Sequence, residues 1–151
     1  MIQLVIILLL TVSMTAFSQT EMKGFRGFDW DTPRSSMWAD LVPDSGLNPG
    51  FKAYNRPNDD LIFEGFQTLS IIYGFKKDLF TGVILSFHKD DYPALLKMIT
   101  ERYGEPSKKS ETPFLNNYVW KLSFSEIAII NTPLNESEKN TTLNIGKLTR
   151  Y

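Results

Sequence analysis

The sequence predicts an α+β fold: an antiparallel sheet of five to seven strands with two helices packed on one face, in the order α-βββ-α-βββ. Three observations predict it. From Leu61 onward, apolar and polar residues alternate in runs, the mark of half-buried strands. Two segments, 33–41 and 92–103, carry apolar residues at helical spacing behind capping residues. Short turn-forming stretches separate the alternating runs, as antiparallel neighbours require.

Residues 1–18 read as an export signal. Ile2 to Leu10 is apolar apart from Gln3, and no residue from 1 to 20 is charged. Ala16 and Ser18 place small residues where a signal peptidase reads, so cleavage is expected between Ser18 and Gln19. The apolar run is shorter than the ~20 residues that span a bilayer. No cysteine follows it, so no lipid anchor is expected. Residues 19–151 then form a single domain, placed in the periplasm or secreted.

The elements follow in order. Thr32 suits an N-cap and Pro33 the first helical position, which predicts a short helix over 33–41. Met37, Trp38 and Leu41 share its apolar face, and Pro43 ends it. Residues 44–60 are dense in turn formers, with room for a short strand at Phe51, Ala53 and Tyr54. Next come Leu61 and Phe63, then Leu69, Ile71, Tyr73 and Phe75, then Val83, Leu85 and Phe87. These predict two or three antiparallel strands, with Lys76-Lys77-Asp78 as a turn. Ile72 and Ile84 break the polarity of the second face and point to partial cover there.

Asp90-Asp91 is expected to cap a second helix over 92–103. Its stripe is Tyr92, Leu95, Leu96, Ile99 and Tyr103. Gly104 suits an αL C-cap, and Pro106 blocks continuation. Residues 107–112 read as a polar loop. Tyr118, Trp120, Leu122 and Phe124 predict a strand, residues 126–131 another, and 142–150 a last one with Gly146 as a bulge. Residues 30–87 and 89–151 thus share a plan of capped helix then meander, without further matching of residues.

Composition excludes several functions. With 16 Lys+Arg against 17 Asp+Glu, the 151-residue chain has a formal charge of −1. That leaves no footprint for nucleic acid or an anionic membrane. With no cysteine there is no disulfide framework, cysteine-ligated zinc or thiol nucleophile, and one histidine builds no multi-histidine metal site.

Four segments carry a resemblance: FRGFDWDTP, IIYGFKKDLFTGVILSF, LLKMITERYGEP and YVWKLSFSEIAII, in that order. Together they resemble a group of small exported bacterial proteins of unassigned function. Those read Phe-x-Trp-Gly-Thr before the first helix and Tyr-Gly-x-Pro after the second. Here Asp31 stands in place of the glycine. The layout of helix and meander is also similar to the outer-membrane assembly lipoproteins and the β-lactamase inhibitor proteins. That similarity implies action by binding other proteins, and no functional residue carries over.

Candidate chemistry is sparse. His88-Lys89-Asp90-Asp91 joins an imidazole to carboxylates, as a metal site or acid–base pair would, but a strand end followed by a helix cap accounts for it better. Asp29-x-Asp31 and Asp59-Asp60 lack the calcium loop's glycine and glutamate and suit caps and turns. There is no nucleophile elbow, dinucleotide fingerprint or P-loop, and no cofactor is expected. Trp30, Trp38 and Trp120 are expected in the core. In the loop 44–60, Phe51, Tyr54 and Arg56 are anchor-type residues and form the candidate interaction loop. The expected function is a non-catalytic binding or accessory domain of the bacterial envelope, its partner an envelope protein or a small apolar ligand. A small hydrolase using paired carboxylates is the alternative.

Overall fold

The alternating runs build a larger sheet than expected, and one expected helix does not form. The computed structural model describes residues 21–44, 51–133 and 140–148. The signal cleavage expected at Ser18 and Gln19 and part of the loop 44–60 lie outside these residues. Among the described residues nine strands form one antiparallel sheet, and a single α-helix packs on it. The expectation of two helices on five to seven strands is therefore overturned.

A ribbon of β1 (Gly24–Phe25) and β2 (Phe28–Asp29) precedes the sheet. The sheet comprises β3 (Val42–Asp44), β4 (Lys52–Asn55), β5 (Ile62–Phe63), β6 (Phe66–Lys76), β7 (Leu79–His88), β8 (Lys108–Glu111), β9 (Asn116–Lys121), β10 (Ser125–Asn131) and β11 (Asn140–Lys147). Helix α1 (Tyr92–Tyr103) lies between β7 and β8 in the chain. The spatial order is β3-β4-β6-β7-β11-β10-β9-β8, with β5 folded back on β6. Two meanders thus meet through their last strands, β7 and β11. Among the described residues no helix is long and apolar enough to cross a membrane.

Turn chemistry sets the hairpins. Arg26-Gly27, Glu64-Gly65 and Lys77-Asp78 all have positive φ at both positions, from 50° to 85°. That is the mirror-image turn whose twist matches paired strands. Aspartate tolerates this region at Asp78, but Lys77 has no such permissiveness, so the long β6–β7 pairing imposes the conformation there.

Residues 33–41 do not form the expected helix. Only a 3₁₀ turn, Arg34–Ser36, appears. The segment is too short to be helical by itself, and Ser35-Ser36 lowers its propensity. Backbone pairing wins instead: Asp31 N–H donates to Phe80 O at 2.7 Å, Phe80 N–H to Thr32 O at 2.9 Å, and Arg34 N–H to Asp78 O at 2.9 Å. Pro43 holds its predecessor extended, and β3 forms as an edge strand.

The expected loop 107–112 contains the opposite edge strand, β8. All four of its residues are exposed, so no alternation announces it. Lys108 and Lys109 blunt that edge against pairing with another chain. Gly146 is no bulge: it sits in regular register between Gly82 and Glu126. The sheet's irregularities fall in β6, between Thr68 and Ser70 and between Gly74 and Phe75.

Helix α1 buries Leu95, Ile99 and Tyr103, the centre of its expected stripe. The expected cap does not form. Asp91 has helical angles (φ −76°, ψ −13°) and no capping hydrogen bond, and Lys89–Asp91 is a 3₁₀ lead-in. Gly104 ends the helix at φ 82°, ψ −165°, a region that only glycine occupies readily.

Both meanders turn large residues to one core. Tyr73, Phe75, Leu85, Phe87, Ile127, Ile129 and Leu143 are fully buried, and each such side chain contributes roughly 1.5–3 kcal/mol on burial. Beside α1, Trp120 donates its indole N–H to Gly104 O at 2.8 Å. Over β6 and β7 the cover is aromatic. Trp38 lies 5.0 Å from Tyr73, Trp30 5.1 Å from Phe80, and Phe63 6.3 Å from Phe87.

Candidate functional site

The sheet face opposite α1 carries the site. Strand alternation places Ser70, Ser86, Thr142 and Ile130 in one cross-strand row. A second row runs Ile72, Ile84, Asn144, Ala128. A third runs Ala53, Gly74, Gly82, Gly146, Glu126. Most of these side chains are half-buried. Among the described residues, no helix lies over them.

Three glycines on three neighbouring strands leave a floor without side chains. A hollow of about 410 Å³ opens over it, walled by Ile72, Ile84, Ala128 and Asn144. The glycines are also a packing requirement. A Cβ on Gly82 would stand 2.8 Å from Ile145 O and 3.1 Å from the Gly146 Cα, both backbone atoms. Phe51 roofs the first glycine: its ring edge lies 3.8 Å from the place a Gly74 Cβ would take. Phe51 remains 46% exposed.

A second hollow, of about 850 Å³, lies at the end of the sheet. The ribbon, the Lys77-Asp78 turn and the 122–124 turn converge there. Trp30, Leu79, Phe124 and Leu148 supply apolar surface, and Lys23, Lys76, Lys77 and Lys147 supply charge, with Asp29 and Asp31. Phe124 is 56% exposed. It is nonetheless held in place: Glu21 accepts the N–H groups of Ser123 (3.1 Å) and Phe124 (2.8 Å), and Leu148 N–H donates to Phe124 O at 2.8 Å. Lys147 pairs with Asp31. Lys76, Thr81 and Lys147 line both hollows, so the two form one trough.

The anchor-type residues of the loop 44–60 separate. Phe51 stands at the lip of the trough. Tyr54 faces the core, its ring 5.3 Å from Phe75. Arg56 is engaged elsewhere: its Nε donates to Asp40 at 2.9 Å, its Nη1 donates to Asp59 at 3.3 Å, and it lies 4.4 Å from the Trp38 ring centroid. The structure brings these three residues to no common surface.

Asp59 is the most enclosed charge in that region, with a side chain 2% exposed. It accepts from Arg26, from Arg56 and from the Tyr73 hydroxyl at 2.6 Å. Burial, and then this hydrogen bond, raise the Tyr73 pKa above the usual tyrosine range. Both Asp59 oxygens are engaged, so the cluster ties loop to sheet.

Acid–base groups do not gather. His88 is exposed at the end of β7. Among the described residues, no three histidine, aspartate or glutamate side chains stand close enough to hold a metal ion. Asp29 and Asp31 both line the end hollow, and Asp31 is tied to Lys147.

The trough had a sequence signal. Gly74, Gly82 and Gly146 fall at the outward positions of alternating strands, beside Ile72 and Ile84, whose apolar character marks that face. The lysines had none, because they come from three separate segments. Compared with protein-family models, curated proteins and solved structures, the chain matches none.

Proposed function

We propose that this chain is an exported, non-catalytic binding domain of the bacterial envelope, and that a small ligand with an extended apolar body lies in the trough. The observation that carries this reading is the glycine floor between apolar walls on a sheet face that no described helix covers. Each hollow falls within the roughly 300–1,000 Å³ of small-molecule sites. The uncharged apolar N-terminus supports export, and the resemblance to small exported proteins agrees with it.

The test is titration of the purified chain with N-phenylnaphthylamine, an uncharged apolar fluorophore. Saturable binding is expected. Ala128→Trp fills the trough from an outward position and should abolish binding while circular dichroism stays unchanged. A folded wild-type chain that binds no probe would overturn the reading.

A second reading rests on Asp29 and Asp31, two carboxylates in one hollow. A carboxylate hydrolase would cleave p-nitrophenyl esters or glycosides and lose that activity in Asp29→Asn or Asp31→Asn. Equal background rates in all three proteins would remove it.

A further inference from the structure

We infer that the ligand of the trough is an anionic single-chain amphiphile, its charged head among the lysines of the end hollow and its apolar chain along the glycine floor. The inference rests on the trough reading above and names its ligand class.

Charge is the first argument. Four lysines and two aspartates line the end hollow, a local excess of two positive charges in a chain whose formal charge is −1. Partnering is the second. Among the described residues, Lys23, Lys76 and Lys77 form no ion pair, whereas nearby Lys52 pairs with Asp78 at 3.1 Å and Arg34 with the same carboxylate at 3.6 Å. A carboxylate is thus within reach of this corner, yet three lysines stay open beside it. Gathering like charges is unfavourable unless an anion offsets the repulsion.

The third argument is the company the lysines keep. Phe124 and Leu79 are 56% and 37% exposed in the same hollow. Glu21 and Leu148 hold the Phe124 turn in place, so its ring is presented rather than loose. Fixed apolar surface beside unpaired cations matches a molecule with both characters. Lysine stems add apolar contact below their charged ends.

Continuity is the fourth. Lys76 shares the outward face of β6 with Ile72 and Gly74, so charge and apolar wall lie on one strand. The smaller hollow suits one chain. A carboxylate or phosphate head would meet the same lysines.

The test uses cis-parinaric acid and its uncharged methyl ester with the full chain. The acid is expected to bind about tenfold more tightly, and the preference should shrink as salt rises. Lys23→Gln with Lys77→Gln, both outside the lining of the glycine-floored hollow, should erase the preference and weaken ester binding far less than acid binding. Thermal melting checks that this variant folds, and Lys23→Gln alone is a milder second variant. Displacement of the bound acid by palmitate or by lysophosphatidic acid supports the inference and separates the two head groups. Displacement by neither overturns it. Equal binding of acid and ester overturns the anionic head and leaves the trough reading standing. Binding of neither overturns the trough reading itself. Adsorption to phosphatidylglycerol vesicles without loss of bound parinaric acid assigns the lysines to a membrane surface and overturns the inference.

Discussion

The two meanders that meet at β7 and β11 bury their core faces by different means. Strands β8–β11 lie beside an amphipathic helix, with Leu95, Ile99 and Tyr103 buried and Trp120 bonded to the helix end. Strands β3–β7 have no helix. Phe25, Trp30 and Trp38 come from the ribbon and loops around them and Phe63 from the folded-back β5, and a buried carboxylate with two arginines pins those segments down. A helix satisfies its own backbone and needs only a stripe. An irregular cover must borrow hydrogen bonds from the sheet and ionic ties from its neighbours. The difference predicts where each half is vulnerable.

Asp59→Ala should be the most damaging change. It takes the buried acceptor from the Tyr73 hydroxyl and one anion from Arg26 and Arg56, which keep the Asp60 and Ile62 carbonyls and Asp40. Losing one partner of a buried ion pair costs about 3–5 kcal/mol. The urea midpoint should fall sharply. A shift worth less than ~1 kcal/mol would mean that water replaces the carboxylate, and that aromatic contact alone holds this cover.

Leu95→Ala tests the helical cover. A cavity beneath a fully buried leucine costs about 2–5 kcal/mol. Native-state hydrogen exchange should show faster opening in α1 than in β6. Equal acceleration in both would show that the covers are one cooperative unit.

Gly82→Ala probes the seam, where β7 meets β11. The new methyl would press on Ile145 O at 2.8 Å, and overpacking of this kind costs about 1–3 kcal/mol. Thermal melting measures it. An unchanged midpoint would show that the seam yields and that the glycine serves the trough alone.

The smallest effect concerns the pair that links the covers, Arg102 on α1 and Glu64 in the β5–β6 turn, at 2.7 and 2.8 Å. The arginine's hydrogen bonds hold the Glu64 carboxyl below its usual pKa. Its stabilisation is therefore present above the ordinary glutamate pKa and lost as pH falls through the lowered folded value. Both side chains are over a third exposed, so Glu64→Gln should cost only about 0.2–1 kcal/mol at neutral pH. The gap to wild type should close on acidification. A gap independent of pH would assign the effect to packing.

The same contrast explains what was legible. Strands β6, β7, β9 and β10 and helix α1 announce themselves because burial on one face imposes a period of 2 or 3.6 on their residues. The helix expected at 33–41 was misread because Met37, Trp38 and Leu41 are apolar for a different reason. They pack individually against the core, while the backbone just before them, residues 31–34, pairs with the β6–β7 hairpin. Strand β8 was hidden because Lys108 to Glu111 is exposed on both faces. Of the candidate interaction residues, Phe51 reaches the trough while Tyr54 and Arg56 turn to internal packing.

By itself, the sequence determined the antiparallel β character after Leu61, the helix at 92–103, the absence of covalent staples and the uncharged apolar N-terminus. These depend on composition and on neighbours within a few residues. Tertiary structure alone decided that residues 31–34 are zipped to a hairpin, so that no helix forms over 33–41, and that nine strands join in one sheet among the described residues. It also decided that three distant glycines align into a floor, and that lysines from three segments meet at its end. Those outcomes depend on register between strands far apart in the chain, and register is set by the packing of the whole core.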